Sequence, residues 1–99
     1  MKYQVVLQFS TIHMNLDKLV ELETLLEEKL KSNDVDGHDI GQEEMNIFIL
    51  TNDPKKCFKT ALSLIGVDVQ VNLKAAYRKL DEDDYIVLFP KGLKKFDVL

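Results

Sequence analysis

The chain has 99 residues, with 13 basic and 17 acidic side chains and a formal charge of −4. A chain this long hides roughly 65% of its unfolded surface, enough for one core without covalent staples. Hydrophobic content of 45% and charged content of 30% exclude wholesale disorder, and the single cysteine, Cys57, excludes an intrachain disulfide.

Tyr3, Val5, Leu7 and Phe9 alternate with Lys2, Gln4 and Gln8, the period-2 pattern of a half-buried strand that only Val6 breaks. This opening segment is too short and too interrupted by glutamine for a signal peptide. No apolar run anywhere reaches the ~18 residues of a membrane span. The expectation is a soluble, cytoplasmic chain forming one domain over residues 1–99.

Asn15 is a good N-cap, and Leu16, Leu19, Val20, Leu26 and Leu30 recur behind it at helical spacing, predicting a helix over residues 16–31. Asp17 in its first turn and Lys29 and Lys31 in its last suit the helix dipole. Residues 32–43 are polar and glycine-punctuated, with a short edge strand around Val35–Ile40. Met45–Thr51 is β-branched and aromatic and reads as a central strand. Asp53 as N-cap and Pro54 at the first helical position start a second helix. Phe58, Ala61, Leu62 and Ile65 form its buried stripe, and Gly66 suits its stop.

Val69, Val71, Leu73, Ala75 and Tyr77 then alternate with polar residues as another strand, and residues 81–84 form an acidic turn. Tyr85–Phe89 is a last strand ended by Pro90. Lys91–Leu99 is a basic tail whose Leu93, Phe96, Val98 and Leu99 suit docking on the body. The order β-α-β-β-α-β-β, with right-handed crossovers, predicts an α+β, ferredoxin-like sandwich: two helices on one face of an antiparallel sheet, with a hairpin strand added at an edge. A rearranged sheet keeping the same elements is the alternative.

Charge is shared unevenly along these elements. Residues 1–53 hold 4 basic and 11 acidic side chains, a balance of −7, and residues 54–99 hold 9 and 6, a balance of +3. The acid sits on the solvent face of the first helix and in the 34–44 loop.

Several chemistries are excluded. An iron–sulfur cluster needs about four cysteines, and a Cys-x-x-Cys metal loop is equally absent. RNA-binding relatives of this element order carry a cation and stacking aromatics on the third strand. Here Glu43 and Glu44 stand in that region, and a charge of −4 supplies no counterion-release driving force. No cofactor and no nucleic-acid or membrane partner is expected. Acylphosphatase-type chemistry wants an arginine after the first strand, whereas the only arginine is Arg78.

Counting Ser32 as position 1 places Asp34, Asp36, Gly37 and Glu43 at calcium-loop spacing. Three features oppose calcium: serine at position 1, Asp39 at the apolar position 8, and a strand rather than a helix afterwards. No metal ligand is therefore assigned. Asp36, His38, Asp39, Glu43 and Glu44 still gather carboxylates around one imidazole, and the functional reading of such a set is a divalent-metal or acid–base site. The opposing reading is a solvated turn. Cys57 lies beside Lys55 and Lys56 near a helix N-terminus, which favours thiolate, but its helical face favours burial.

A second candidate is a surface. With Val5, Leu7 and Phe9 facing the helices, the other sheet face carries Gln4, Val6 and Gln8. Asn46, Phe48 and Leu50 join them, followed by Gln70, Asn72, Lys74, Ala76 and Arg78, then Ile86 and Leu88. Phe48 and Leu50 are its apolar anchors, as on faces used for dimerisation or partner docking.

Asp36-Gly37-His38-Asp39-x-Gly41, the strand Asn46-Ile47-Phe48-Ile49, Thr51-x-Asp53-Pro54, Ala76-Tyr77-Arg78 and the Tyr85–Pro90 strand together resemble small, uncharacterised bacterial proteins of ferredoxin-like fold. The resemblance spans most of residues 33–92. It implies no activity, and it implies that the 36–41 loop matters. The functional expectation is a non-enzymatic, acidic interaction protein of immunity or regulatory type, binding a protein partner or itself as a homodimer. A small-molecule-binding regulatory domain is the alternative. An enzyme using His38 with Asp36 and Asp39 is the third.

Overall fold

The structure is a computed structural model and describes residues 1–98. Its elements are β1 (Tyr3–Ser10), α1 (Leu16–Lys29), β2 (Asp34–Ile40), β3 (Glu44–Thr51), α2 (Pro54–Leu64), α3 (Val67–Gln70), β4 (Lys74–Lys79) and β5 (Ile86–Phe89). The strands form one sheet in the order β2-β3-β1-β4-β5, antiparallel at every pairing. The α+β class and the antiparallel sheet stand as expected, and a third, short helix, α3, joins the two expected.

Local chemistry sets the helix starts. Asn15 Oδ1 accepts from the Lys18 amide at 2.9 Å, and Asp53 Oδ1 accepts from the Lys56 amide at 3.2 Å, with Pro54 at the first turn of α2. Each satisfies an amide that the helix cannot. Leu19 and Leu26 of α1 and Cys57, Phe58 and Ala61 of α2 pack onto Val5, Leu7, Phe9, Ile47, Ile49 and Ala75. The α1 stripe is narrower than its spacing predicts, because Leu16 and Val20 stay largely exposed. The helix also stops at Lys29, with Leu30 as its cap.

The strand expected from Val69 onward begins only at Lys74. β1 and β4 pair from Gln8 opposite Lys74, so residues 69–71 would need partners beyond the end of β1 at Ser10. Without a ladder, their amides turn inward locally. Val69 and Gln70 amides donate to the Gly66 carbonyl, and Gln70 Nε2 donates to the Ile65 carbonyl at 2.8 Å. The result is α3, which leaves Val67 and Val71 exposed.

The second sheet face is not open. Val6 and Ala76 are fully buried there beneath Phe96 of the tail, with Phe48, Tyr85, Val87 and Val98 around them. The Phe96 and Tyr85 ring centroids lie 5.1 Å apart. Every residue from Val5 to Phe9 is therefore buried, and the break at Val6 marks a strand covered on both faces. Leu93 is half-buried, while Leu99 lies outside the described residues.

Candidate functional site

The carboxylate–imidazole segment is β2, an edge strand, and its register decides where His38 goes. Val35 pairs with Ile49 and His38 with Ile47, although one is two residues from its neighbour and the other three. A bulge between Val35 and Gly37, with Gly37 at φ +117°, absorbs the odd residue. Val35 and His38 thus share the helix-side face, where regular alternation would oppose them. His38 Nδ1 meets the two carboxylate oxygens of Glu23 on α1 at 3.2 and 3.1 Å. Asp39 pairs with Asn46, on the opposite face. His38 and Asp39 therefore do not converge, and Asp36 sits exposed at the bulge. Among the described residues, no three His, Cys, Asp or Glu side chains lie together so as to hold a metal.

Glu43 belongs to a different place. The Thr11 amide donates to its carbonyl at 3.0 Å, and the Gly41 amide donates to that of Glu44 at 2.8 Å. These bonds lash the β2–β3 turn to the loop after β1. Beside them opens a cleft of about 640 Å³ whose walls include Ser10, Thr11, Ile12, Glu43, Glu44, Val71, Lys74 and Pro90. Its volume falls in the range of ligand pockets. Ile12 is 84% exposed and Val71 71% on its rim. Val67, 82% exposed, lies one helical turn before Val71, on the same side of α3. Single exposed apolar residues are ordinary, but Ile12 and Val71 together on one cleft, with Val67 a turn away, make a patch. The sequence hid this patch because Val71 was counted into a strand; the signal available was two valines four apart after a glycine.

The surface residues Phe48 and Leu50 are both half-buried. Phe48 touches the cluster under the tail. On β5 it is Val87 that joins this cluster, while Leu88 packs on the helix side, the reverse of the expected alternation. An irregularity between Ala75 and Ala76 in the β4–β5 ladder shifts the faces. Two amides lie deep here, Gln8 at 3% and Asn46 at 2% exposure. They oppose each other across β1 and β3. Gln8 Nε2 donates to the Asp97 carbonyl at 2.9 Å, and Asn46 Oδ1 has no partner among the described residues.

Cys57 is buried, as its helical face implies. Desolvation pushes its thiol up to about 11, with the Asp53 charge adding and a hydrogen bond to Thr51 opposing. Burial thus outweighs the helix N-terminus and the neighbouring lysines, and the thiol is poorly nucleophilic.

Among the described residues no helix is long and apolar enough to cross a membrane. Comparison with protein-family models, with curated proteins and with solved structures found no match.

Proposed function

We propose that this chain is a non-enzymatic binding protein of ferredoxin-like fold, acting in a regulatory or immunity-type role by docking on a protein partner. Support for the fold name comes from the core order β2-β3-β1-β4, each helix crossing over between two parallel strands with one antiparallel strand between them, and with β5 appended. It agrees with the resemblance to small bacterial proteins of that architecture. Support for docking comes from one observation: Ile12 and Val71 stand exposed around a cleft whose other wall carries Glu43 and Glu44. Apolar anchors beside carboxylates suit a partner segment that presents an aliphatic side chain flanked by lysine or arginine. The acidic first half of the chain would steer such a partner inward at low salt.

The test compares immobilised wild type with an Ile12→Asp/Val71→Asp double variant, both exposed to extract of the source cells. The expected result is a protein retained by the first in 50 mM salt and released by the second. Identical retention profiles would refute the assignment. The cleft volume also supports the small-molecule reading, which a thermal-shift screen of amino acids and nucleotides separates from docking. A hit there, abolished by Lys74→Ala, would shift the assignment to a ligand-sensing domain.

A further inference from the structure

The floor of the cleft is made of acceptors that lack donors. β1 pairs in regular register on both sides, so Ser10 stands opposite Glu44, and Gln8 stands opposite Asn46 on one side and Lys74 on the other. These side chains share one sheet face, the face that the tail covers. Gln8, Ser10, Glu44 and Lys74 all line the cleft. Gln8 is 3% exposed, and its Nε2 donates to the Asp97 carbonyl. A carbonyl can only accept, so that bond fixes which end of the amide is which and leaves Oε1 on the other arm. Among the described residues Gln8 Oε1 accepts no hydrogen bond, and neither does Asn46 Oδ1 opposite it. The Ser10 hydroxyl accepts only from the Ile12 amide, at 3.2 Å, and the Glu44 carboxylate enters no ion pair. Acceptors this deep are destabilising without donors, and a ligand rich in N–H groups would satisfy them.

We propose that, given the docking reading above, this floor takes the ammonium group of a lysine side chain carried by the partner. An ammonium has three N–H donors and no acceptor, and Gln8 Oε1, the Ser10 hydroxyl and the Glu44 carboxylate offer it oxygens on adjacent rungs of one sheet face. The lysine stem lies along exposed Ile12 and Val71 at the rim, as such stems cover apolar surface while the charged head reaches polar groups. A guanidinium fits less well, because its planar fork is matched by one bidentate carboxylate, and here the oxygens belong to three residue types. A carboxylate-bearing ligand is opposed by Glu43 and Glu44. Lys74 is exposed, and its charge works against an incoming ammonium, so it lowers the affinity of the pocket.

NMR titration of the full chain with acetyl-Leu-Lys-Leu-amide, which carries one ammonium and no charged terminus, tests this. The expected result is saturable movement of the Gln8 side-chain amide resonances. Binding should be about tenfold weaker with Nε-acetyl-lysine in the peptide and about threefold weaker with arginine. Glu44→Gln should weaken the lysine peptide about tenfold, and Lys74→Gln should tighten it about two- to threefold. Gln8→Leu should abolish binding, and Glu44→Gln carries the test where loss of the Asp97 bond lifts the tail. Equal binding of the lysine and acetyl-lysine peptides, no response at Gln8, or weaker binding by Lys74→Gln overturns the lysine pocket. If an extract protein is still retained through Ile12 and Val71 in that case, docking stands and only the lysine is lost. If no protein is retained while the lysine peptide binds as expected, docking falls and the ammonium pocket stands.

Discussion

The tail gives the sharpest quantitative test of the packing. Phe96 is 7% exposed, seated on Val6 and Ala76 and against the Tyr85 ring. Burying a phenylalanine contributes about 1.5–3 kcal/mol, and Phe→Ala in a rigid core costs about 3–5 kcal/mol once the cavity is included. The tail is not rigid core. Residues 93–98 form no strand or helix, and the side-chain hydrogen bond holding them is Gln8 to Asp97. When Phe96 is lost the segment lifts, so the cost is capped by the tail's whole docking energy. Phe96→Ala should therefore cost about 2 kcal/mol, or roughly 10 °C in Tm for a chain of this size. Leu26→Ala, between α1 and the sheet, should cost about 3–4 kcal/mol. Truncation after Gly92 should cost within about 1 kcal/mol of Phe96→Ala, because the point change already frees the segment. The chain lacks tryptophan, so urea unfolding is best followed by far-ultraviolet circular dichroism. Phe96→Ala within about 0.5 kcal/mol of wild type would refute the docked tail.

Four further outcomes follow from single contacts. The Cys57 thiol is raised from its ordinary 9.0 to about 11, so the folded chain holds it neutral where the unfolded chain ionises. Stability from this source is whole below pH 9 and is lost as pH rises through 11, on the order of 2 kcal/mol, and a Cys57→Ala variant should lack that increment of loss. Gly37→Ala meets nothing within 4 Å but must adopt φ +117°; urea titration should register a loss of about 1–3 kcal/mol, and the His38 ring resonances should move as the bulge relaxes. Arg78 Nη1 donates to the carbonyls of Lys79, Leu80 and Glu82, and its Nε donates to Gln4 Oε1. Arg78→Ala should cost about 1–2 kcal/mol and speed amide exchange in β5. Asn46→Leu removes a buried acceptor that has no partner among the described residues and should match or exceed wild-type stability by up to about 1 kcal/mol; a loss of more than about 1 kcal/mol would mean the amide is satisfied in solution.

What was legible in the sequence was local. Asn15 and Asp53-Pro54 announce helices through their own side chains, and the structure seats both caps where expected. What was hidden depends on partners. Val69–Val71 continues the alternation of a strand, yet strand formation needs a neighbour, and β1 ends too soon to supply one. The destination of His38 hangs on one extra residue at Gly37, since a one-residue slip sends a side chain to the other face. The same sensitivity reversed the expected faces of β5. The apolar residues of the tail could be named from composition, but not that Phe96 turns the second sheet face into a second core.

The uneven charge along the chain becomes a spatial asymmetry once the strands are ordered. β2, with its aspartates, lies at one edge beside the acidic α1, and the basic tail follows β5 at the other. Self-pairing through β2 would oppose carboxylates, and the Gly37 bulge bends that edge as well, so β2 is a poor template for a further strand.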